Sequence, residues 1–142
     1  MLRGVSFLED NAEKVFYKLD TIMDIAQYTW YIDDTDLNFY IFPCKEYSGE
    51  AFKDSLEELS SLSFARIRRY PIGAQIDCID EYDDFVKSDC DFMMLFYDGG
   101  FYEIFGKDEK LLLDVMNLCL KEGYEKARYV YDDEDERHYM HF

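Results

Sequence analysis

The sequence predicts an α+β fold: a single domain over residues 1–142, with a mixed, mostly antiparallel sheet that contains two β-hairpins and is packed by three longer helices and one short helix. Three observations predict it. Short β-branched and aromatic runs alternate with apolar stripes of 3.6-residue period. Asp98, Gly99 and Gly100 set a tight reversal between two apolar runs. Finally, 49% of the residues are apolar and 18% aromatic, which is enough for one packed core at this length.

Taken in order, Arg3 to Phe7 alternates Val5 and Phe7 against polar neighbours and reads as a half-buried strand. Asp10 with Glu13 makes an acid-x-x-Glu helix opening, and Val15, Phe16, Leu19, Ile22 and Met23 then fall on one helical stripe. Tyr28 to Ile32 and Leu37 to Phe42 form a hairpin around DDTD, which Pro43 ends. Ser48 and Gly49 open one helix through AFKDSLEELSS, with Phe52, Leu56 and Leu59 at helical spacing. Phe64 to Tyr70 and the alternating AQIDCI read as two strands joined by a turn at Pro71 and Gly73.

Asp80 is the expected cap of a short helix through Glu81 to Lys87, and FMMLFY and FYEIF flank the second hairpin turn. Asp108 caps a long helix with Leu111, Leu112, Val115, Leu118 and Cys119 on its buried stripe, and Gly123 ends it. Lys126 to Tyr131 is a strand, and Arg137 to Phe142 is a last one beyond an acidic bend. Segments 10–70 and 80–131 share a helix, hairpin, helix, strand order, and SFARIRRY echoes YEKARYVY, the pattern a pseudo-repeat leaves.

Composition narrows the compartment. The longest apolar run, Phe92 to Tyr97, is far short of the roughly 20 residues of a membrane span, and Glu9 and Asp10 interrupt the terminus where a signal peptide stays apolar. Cys44, Cys78, Cys90 and Cys119 form no C-x-x-C pair and read as reduced, small core residues. The expected location is cytoplasmic.

Most site chemistries lack their residues. Gly99, Gly100 and Gly106 make no phosphate-binding loop, and Gly106-Lys107 is followed by Asp108, which repels phosphate. No serine has a nucleophile elbow, and both histidines lie in the last five residues, so Cys90 with His138 is the remaining nucleophile pair. Asp132 to Glu136 with His138 and His141 supply metal-type ligands. On a strand, however, those histidines point to opposite faces, and the acid run lacks the glycine of a calcium loop. No catalytic, cofactor or metal residue is assigned.

A resemblance covers most of the chain. The segments RGVSF, YTWYI, FVKSDCDFMMLFYD, KDEK and YVYDDEDER, in this order, resemble an uncharacterised bacterial family, domain of unknown function 2691. The resemblance implies a bacterial, single-domain, cytosolic protein, and it brings no activity.

The charge is the most specific signal. The net charge is −17, with 13 acids against 8 bases in residues 1–72 and 19 against 7 in residues 73–142. A field of this sign repels nucleic acid and anionic membrane and steers a basic partner inward. Solubility alone accounts for such a charge, but the acids are mixed with tyrosines, which supply rigid interface area. The expectation is therefore a non-catalytic acidic protein-binding module, a neutraliser or regulator of a basic partner such as a toxin or nuclease. Its surface would comprise Asp80, Glu81, Tyr82, Asp83, Asp84, Tyr131, Asp132, Asp133, Glu134, Asp135, Glu136 and Tyr139. The alternatives are a small metal-dependent hydrolase built on the terminal acids and His138, and a ligand-binding regulatory domain with an aromatic pocket around Trp30, Phe39, Tyr40 and Phe42. Arg66, Arg68 and Arg69 are expected to pair with acids rather than to build a nucleic-acid platform.

Overall fold

The chain was analysed as a computed structural model, which describes residues 1–35, 45–59, 63–97, 100–132 and 140. Strand β1 (Leu2–Leu8) leads into helix α1 (Ala12–Met23), a 3₁₀ turn (Ile25–Gln27), β2 (Thr29–Asp33) and β3 (Lys45–Ser48). Two short helices, α2 (Gly49–Asp54) and α3 (Leu56–Leu59), precede β4 (Ala65–Tyr70) and the short α4 (Tyr82–Lys87). The hairpin β5 (Phe92–Tyr97) and β6 (Phe101–Gly106), helix α5 (Glu109–Glu122) and β7 (Glu125–Tyr131) follow. The strands form one sheet in the order β3-β2-β4-β5-β6-β1-β7, antiparallel at every junction, so the α+β class holds.

Alternation along the central strands gives the sheet two buried faces. Val5, Phe7, Trp30, Ile32, Ile67, Met94, Phe96 and Ile104 point to the first face, where the apolar stripes of α1 and α5 and Phe52 of α2 cover them. Burying such stripes, more than helix propensity, holds helices of this length in place. Trp30 anchors the far end: its ring lies 4.5 Å from that of Phe52, and its Nε1 donates to the Ile25 carbonyl at 2.9 Å. On the second face Tyr70, Met93, Leu95 and Phe105 are covered by Ile79, Phe85 and Cys90 from the β4–β5 connection, and by Met140. Among the described residues, no helix is long and apolar enough to cross a membrane.

The structure corrects several sequence expectations. AQIDCI is irregular rather than a strand. Its carbonyls serve arginines instead of a ladder: Asp77 O accepts from Arg68 Nη1 at 2.6 Å, and Ile79 O accepts from Arg66 Nη1. The single helix expected after Ser48 is divided at Ser55, whose hydroxyl donates back to the Ala51 carbonyl at 2.9 Å, an interaction that bends helices. Among the described residues, two helices are therefore long and three short. The α1 cap is Asn11, not Asp10, with its Oδ1 accepting from Lys14 N at 3.0 Å. The α4 cap is Glu81, one residue past Asp80. The four-residue strand β3, at the end of the described sheet, had no reading from sequence. The expected strand Leu37 to Phe42 lies outside the described residues, as does Arg137 to Phe142 apart from Met140.

Two glycines fit close approaches. At Gly49, a Cβ would sit 2.3 Å from the Ala26 carbonyl oxygen, so α2 can lie against the 3₁₀ turn only without a side chain there. At Gly100, φ is +81°, and a Cβ would sit 2.3 Å from the Glu9 carbonyl oxygen. This is how the second hairpin closes against the end of β1.

Met140 is fully buried, with its amide donating to Asp80 O at 2.8 Å and its carbonyl accepting from Arg66 Nη1 at 2.9 Å. Met140→Ala is expected to destabilise the fold by about 2–5 kcal/mol, the usual cost of a buried methionine cavity. Truncation after Tyr131 should cost at least as much. Urea unfolding monitored by tryptophan fluorescence measures both, and an unchanged midpoint would return the segment to the status of a loose tail.

Candidate functional site: an acidic surface pinned by buried arginines

The surface begins with β4. Its alternation puts Arg66 and Arg68 on the second face of the sheet, 6% and 3% exposed. Guanidinium groups so deeply placed must be paired, because an isolated buried charge costs several kcal/mol. Arg66 grips Asp33 of β2 with two bonds, Nε to Oδ1 at 2.8 Å and Nη2 to Oδ2, and spends Nη1 on the Ile79 and Met140 carbonyls. Although burial works against its charged form, the hydrogen bonds and charge of Asp33, with help from Asp34 and Asp80, raise its pKa. Arg68 reaches Asp33 Oδ2 at 3.3 Å, Tyr70 Oη at 2.8 Å and Asp77 O at 2.6 Å, and it stacks over Tyr31 with 4.7 Å to the ring centroid. These bonds tie the irregular chain from Asp77 to Ile79 flat on the sheet and so fix where α4 starts.

At that start Asp80, Glu81, Asp83 and Asp84 are exposed. Asp84 Oδ2 accepts from Glu81 N at 3.0 Å and Asp80 N at 3.2 Å. Those two backbone bonds lower its pKa. With the folded value below the unfolded one, the stabilisation is present at neutral pH and lost as pH falls through the depressed value. Tyr82 is half-buried against Phe85 and Phe105, with ring centroids at 5.9 and 6.5 Å.

The outer face of Tyr82 carries the feature that joins the two acidic segments. The Arg3 guanidinium lies 3.8 Å from the Tyr82 ring centroid, and its Nε donates to Asp132 Oδ1 at 2.5 Å. The amino terminus adds a weaker contact to the same carboxylate at 3.8 Å. Arg3 therefore draws the end of β7 and the start of α4 together across β1, with Tyr131 beside them at 38% exposure. A shift in register of β1 against β7 between Leu2 and Gly4 accompanies this placement.

Of the residues expected at the surface, Tyr82 and Asp132 meet at Arg3, and Asp80, Glu81, Asp83 and Asp84 adjoin Tyr82 in the chain; Tyr131 pairs with Leu2, its ring 6.2 Å from that of Tyr129, which packs on the first face. Asp133, Glu134, Asp135, Glu136 and Tyr139 lie outside the described residues. The sequence reading missed the roles of Arg3 and Asp33, and no local signal marks them, because their partners are remote in the chain.

The rival sites are less complete. Trp30, expected in an aromatic pocket, is a core residue at 2% exposure, while Phe39, Tyr40 and Phe42 lie outside the described residues, as do His138 and His141. Among the described residues, no group of three His, Cys, Asp or Glu side chains is placed to hold a metal ion. Cys90 is fully buried, and burial pushes its thiol up to about 12, so its nucleophilic thiolate is scarce at neutral pH. Cys119 is buried and raised to about 12 for the same reason. Cys78 departs from the expectation of small core cysteines: it is exposed.

Comparison with known proteins adds a family but no chemistry. Residues 2–141 match the model of a family described as "Protein of unknown function (DUF2691)". The chain is similar to the uncharacterized protein YncE of Bacillus subtilis (strain 168), 24% identical over 151 aligned residues that cover 96% of this chain and 97% of that protein. No solved structure matches.

Asp33→Ala is expected to destabilise the protein by about 3–5 kcal/mol, since it leaves two guanidinium groups buried without the carboxylate both contact. Urea unfolding measures the loss. In a Cys44→Ser background, native protein should give one fast thiol equivalent with a disulfide-exchange reagent, from Cys78. The other two should appear only on unfolding, and prompt release of three would contradict the burial of Cys90 and Cys119.

Proposed function

The chain belongs to the DUF2691 family, whose description assigns no chemistry, and from its surface we propose that it is a non-catalytic acidic module that docks a basic protein partner. A toxin, nuclease or other cationic enzyme of the bacterial cytoplasm has the chemistry such a module would neutralise or regulate. The observation that carries this reading is the Arg3 bridge. By stacking on Tyr82 and pairing with Asp132, it brings the end of β7 next to the acidic start of α4, which supports the reading.

Further features support the same reading. The net charge of −17 steers a cationic surface inward and disfavours nucleic acid. Val86, 52% exposed, lies on α4 beside the acids of its first turn and offers apolar contact. The buried arginines hold the platform rigid, so a partner would lose little affinity to ordering it.

The triple variant Asp80→Asn/Glu81→Gln/Asp83→Asn removes three charges, leaves the backbone bonds to Asp84 in place and keeps a side-chain oxygen at the Glu81 cap position. Immobilised wild-type protein is expected to retain basic proteins from the native host at low ionic strength and to release them as salt shortens the Debye length. The variant should lose the same proteins while keeping its melting temperature. Identical recovery on both surfaces would reject the proposal.

A further inference from the structure

The first face of the sheet holds a second polar site, on the opposite side from the Arg3 bridge. A cavity of about 340 Å³ opens between the last turn of α1, the residues leading into β2 and the first turns of α5. That volume falls at the small end of the ~300–1,000 Å³ range typical of small-molecule sites.

Arg69 of β4 forms part of its wall and is 5% exposed. Its guanidinium is fixed from two directions. Nε donates to Asp91 Oδ1 at 2.8 Å, and the plane lies 3.9 Å from the ring centroid of Tyr28, which also lines the cavity. Among the described residues its two terminal nitrogens have no hydrogen-bond acceptor. They are not sealed in the core either: the atoms buried without a partner are Arg68 Nε and Tyr124 Oη. A planar guanidinium held this way presents paired N–H donors at fixed geometry, the arrangement that recognises a carboxylate.

The rest of the wall is mostly of the opposite sign, with Asp20, Asp24, Asp108 and Asp114 beside a further cation, Lys110. Asp20 and Asp114 are neutralised by Lys53 and Lys110, each at 3.0 Å. Asp108 uses Oδ1 to cap Lys110 N at 3.0 Å, and Asp24, in a left-handed conformation (φ 49°), makes no cap hydrogen bond with its side chain among the described residues and lies within the field of Lys53. A simple anion on Arg69 would face these carboxylates, and a simple cation would face Arg69. A molecule that carries both charges satisfies both walls.

We propose that this cavity binds a small zwitterion of the amino-acid type, its carboxylate on the terminal nitrogens of Arg69 and its ammonium on Asp24 and Asp108. The site is independent of the acidic docking surface and stands or falls without it. Its ligand would be sensed where α1, β4 and α5 meet.

The test is thermal unfolding of the full chain with each common amino acid at millimolar concentration. For the best of them, the corresponding amine without the carboxylate and acid without the ammonium are run alongside. At least one amino acid should raise the melting temperature progressively with concentration, as binding to the native state requires, and neither half-molecule should. Asp24→Asn/Asp108→Asn should abolish the rise while keeping the fold, because asparagine serves as a helix cap and tolerates a left-handed conformation. Asp24→Asn alone, which leaves the cap untouched, should weaken it. The proposal is overturned if no amino acid shifts the transition, if the acid half alone shifts it equally, or if the rise survives intact in both variants.

Discussion

Burial of three guanidinium groups on one strand is the constraint around which the molecule is arranged. β4 lies inside the sheet and every residue of it is buried, so Arg66 and Arg68 cannot reach water without leaving the ladder, and Arg69 meets it only at the cavity it lines. The guanidinium groups must instead find acceptors in the protein, and the acceptors determine what packs where. Asp33 is drawn to one side of β4 and Asp91 to the other. The chain after β4 gives up regular structure so that its carbonyls can meet Arg66 and Arg68. A hydrophobic strand would have left that connection free to pair as another strand. With arginines, it is a fitted cover, and the acidic start of α4 is placed by the same bonds.

The long elements were legible from sequence because one periodicity ran through each. Val15, Phe16 and Leu19 in α1, and Leu112, Val115 and Cys119 in α5, are buried as the stripes require. The hairpin of β5 and β6 follows its glycines. The failures share a cause: distant partners redirect a local signal. AQIDCI alternates as a strand would, yet its apolar residues cover the sheet and its carbonyls serve side chains. The Arg66–Asp33 pair spans 33 positions and the Arg69–Asp91 pair 22, so expecting these arginines to pair with acids was sound while naming the acids was out of reach. The Arg3–Asp132 contact spans 129 positions and has no signature in either neighbourhood.

The two proposed sites share one arrangement of side chains. On the second face, Arg3 lies over Tyr82 and donates its Nε to Asp132. On the first, Arg69 lies over Tyr28 and donates its Nε to Asp91. What differs is the setting: Arg69 forms part of a cavity wall, whereas Arg3 lies between the end of β7 and the exposed acids at the start of α4.

The position of β1 between β6 and β7 bears on how the chain is made. Among the described residues β1 pairs with segments about a hundred or more positions later, Phe101 to Phe105 and Glu125 to Tyr131. Until those are synthesised, Val5 and Phe7 lack these neighbours, and β1 carries an open edge that invites pairing with another chain. Such non-local closure slows folding. The acids that crowd the rest of the chain repel a second copy during that interval, so the same negative charge that suits a binding surface also guards an unfinished molecule.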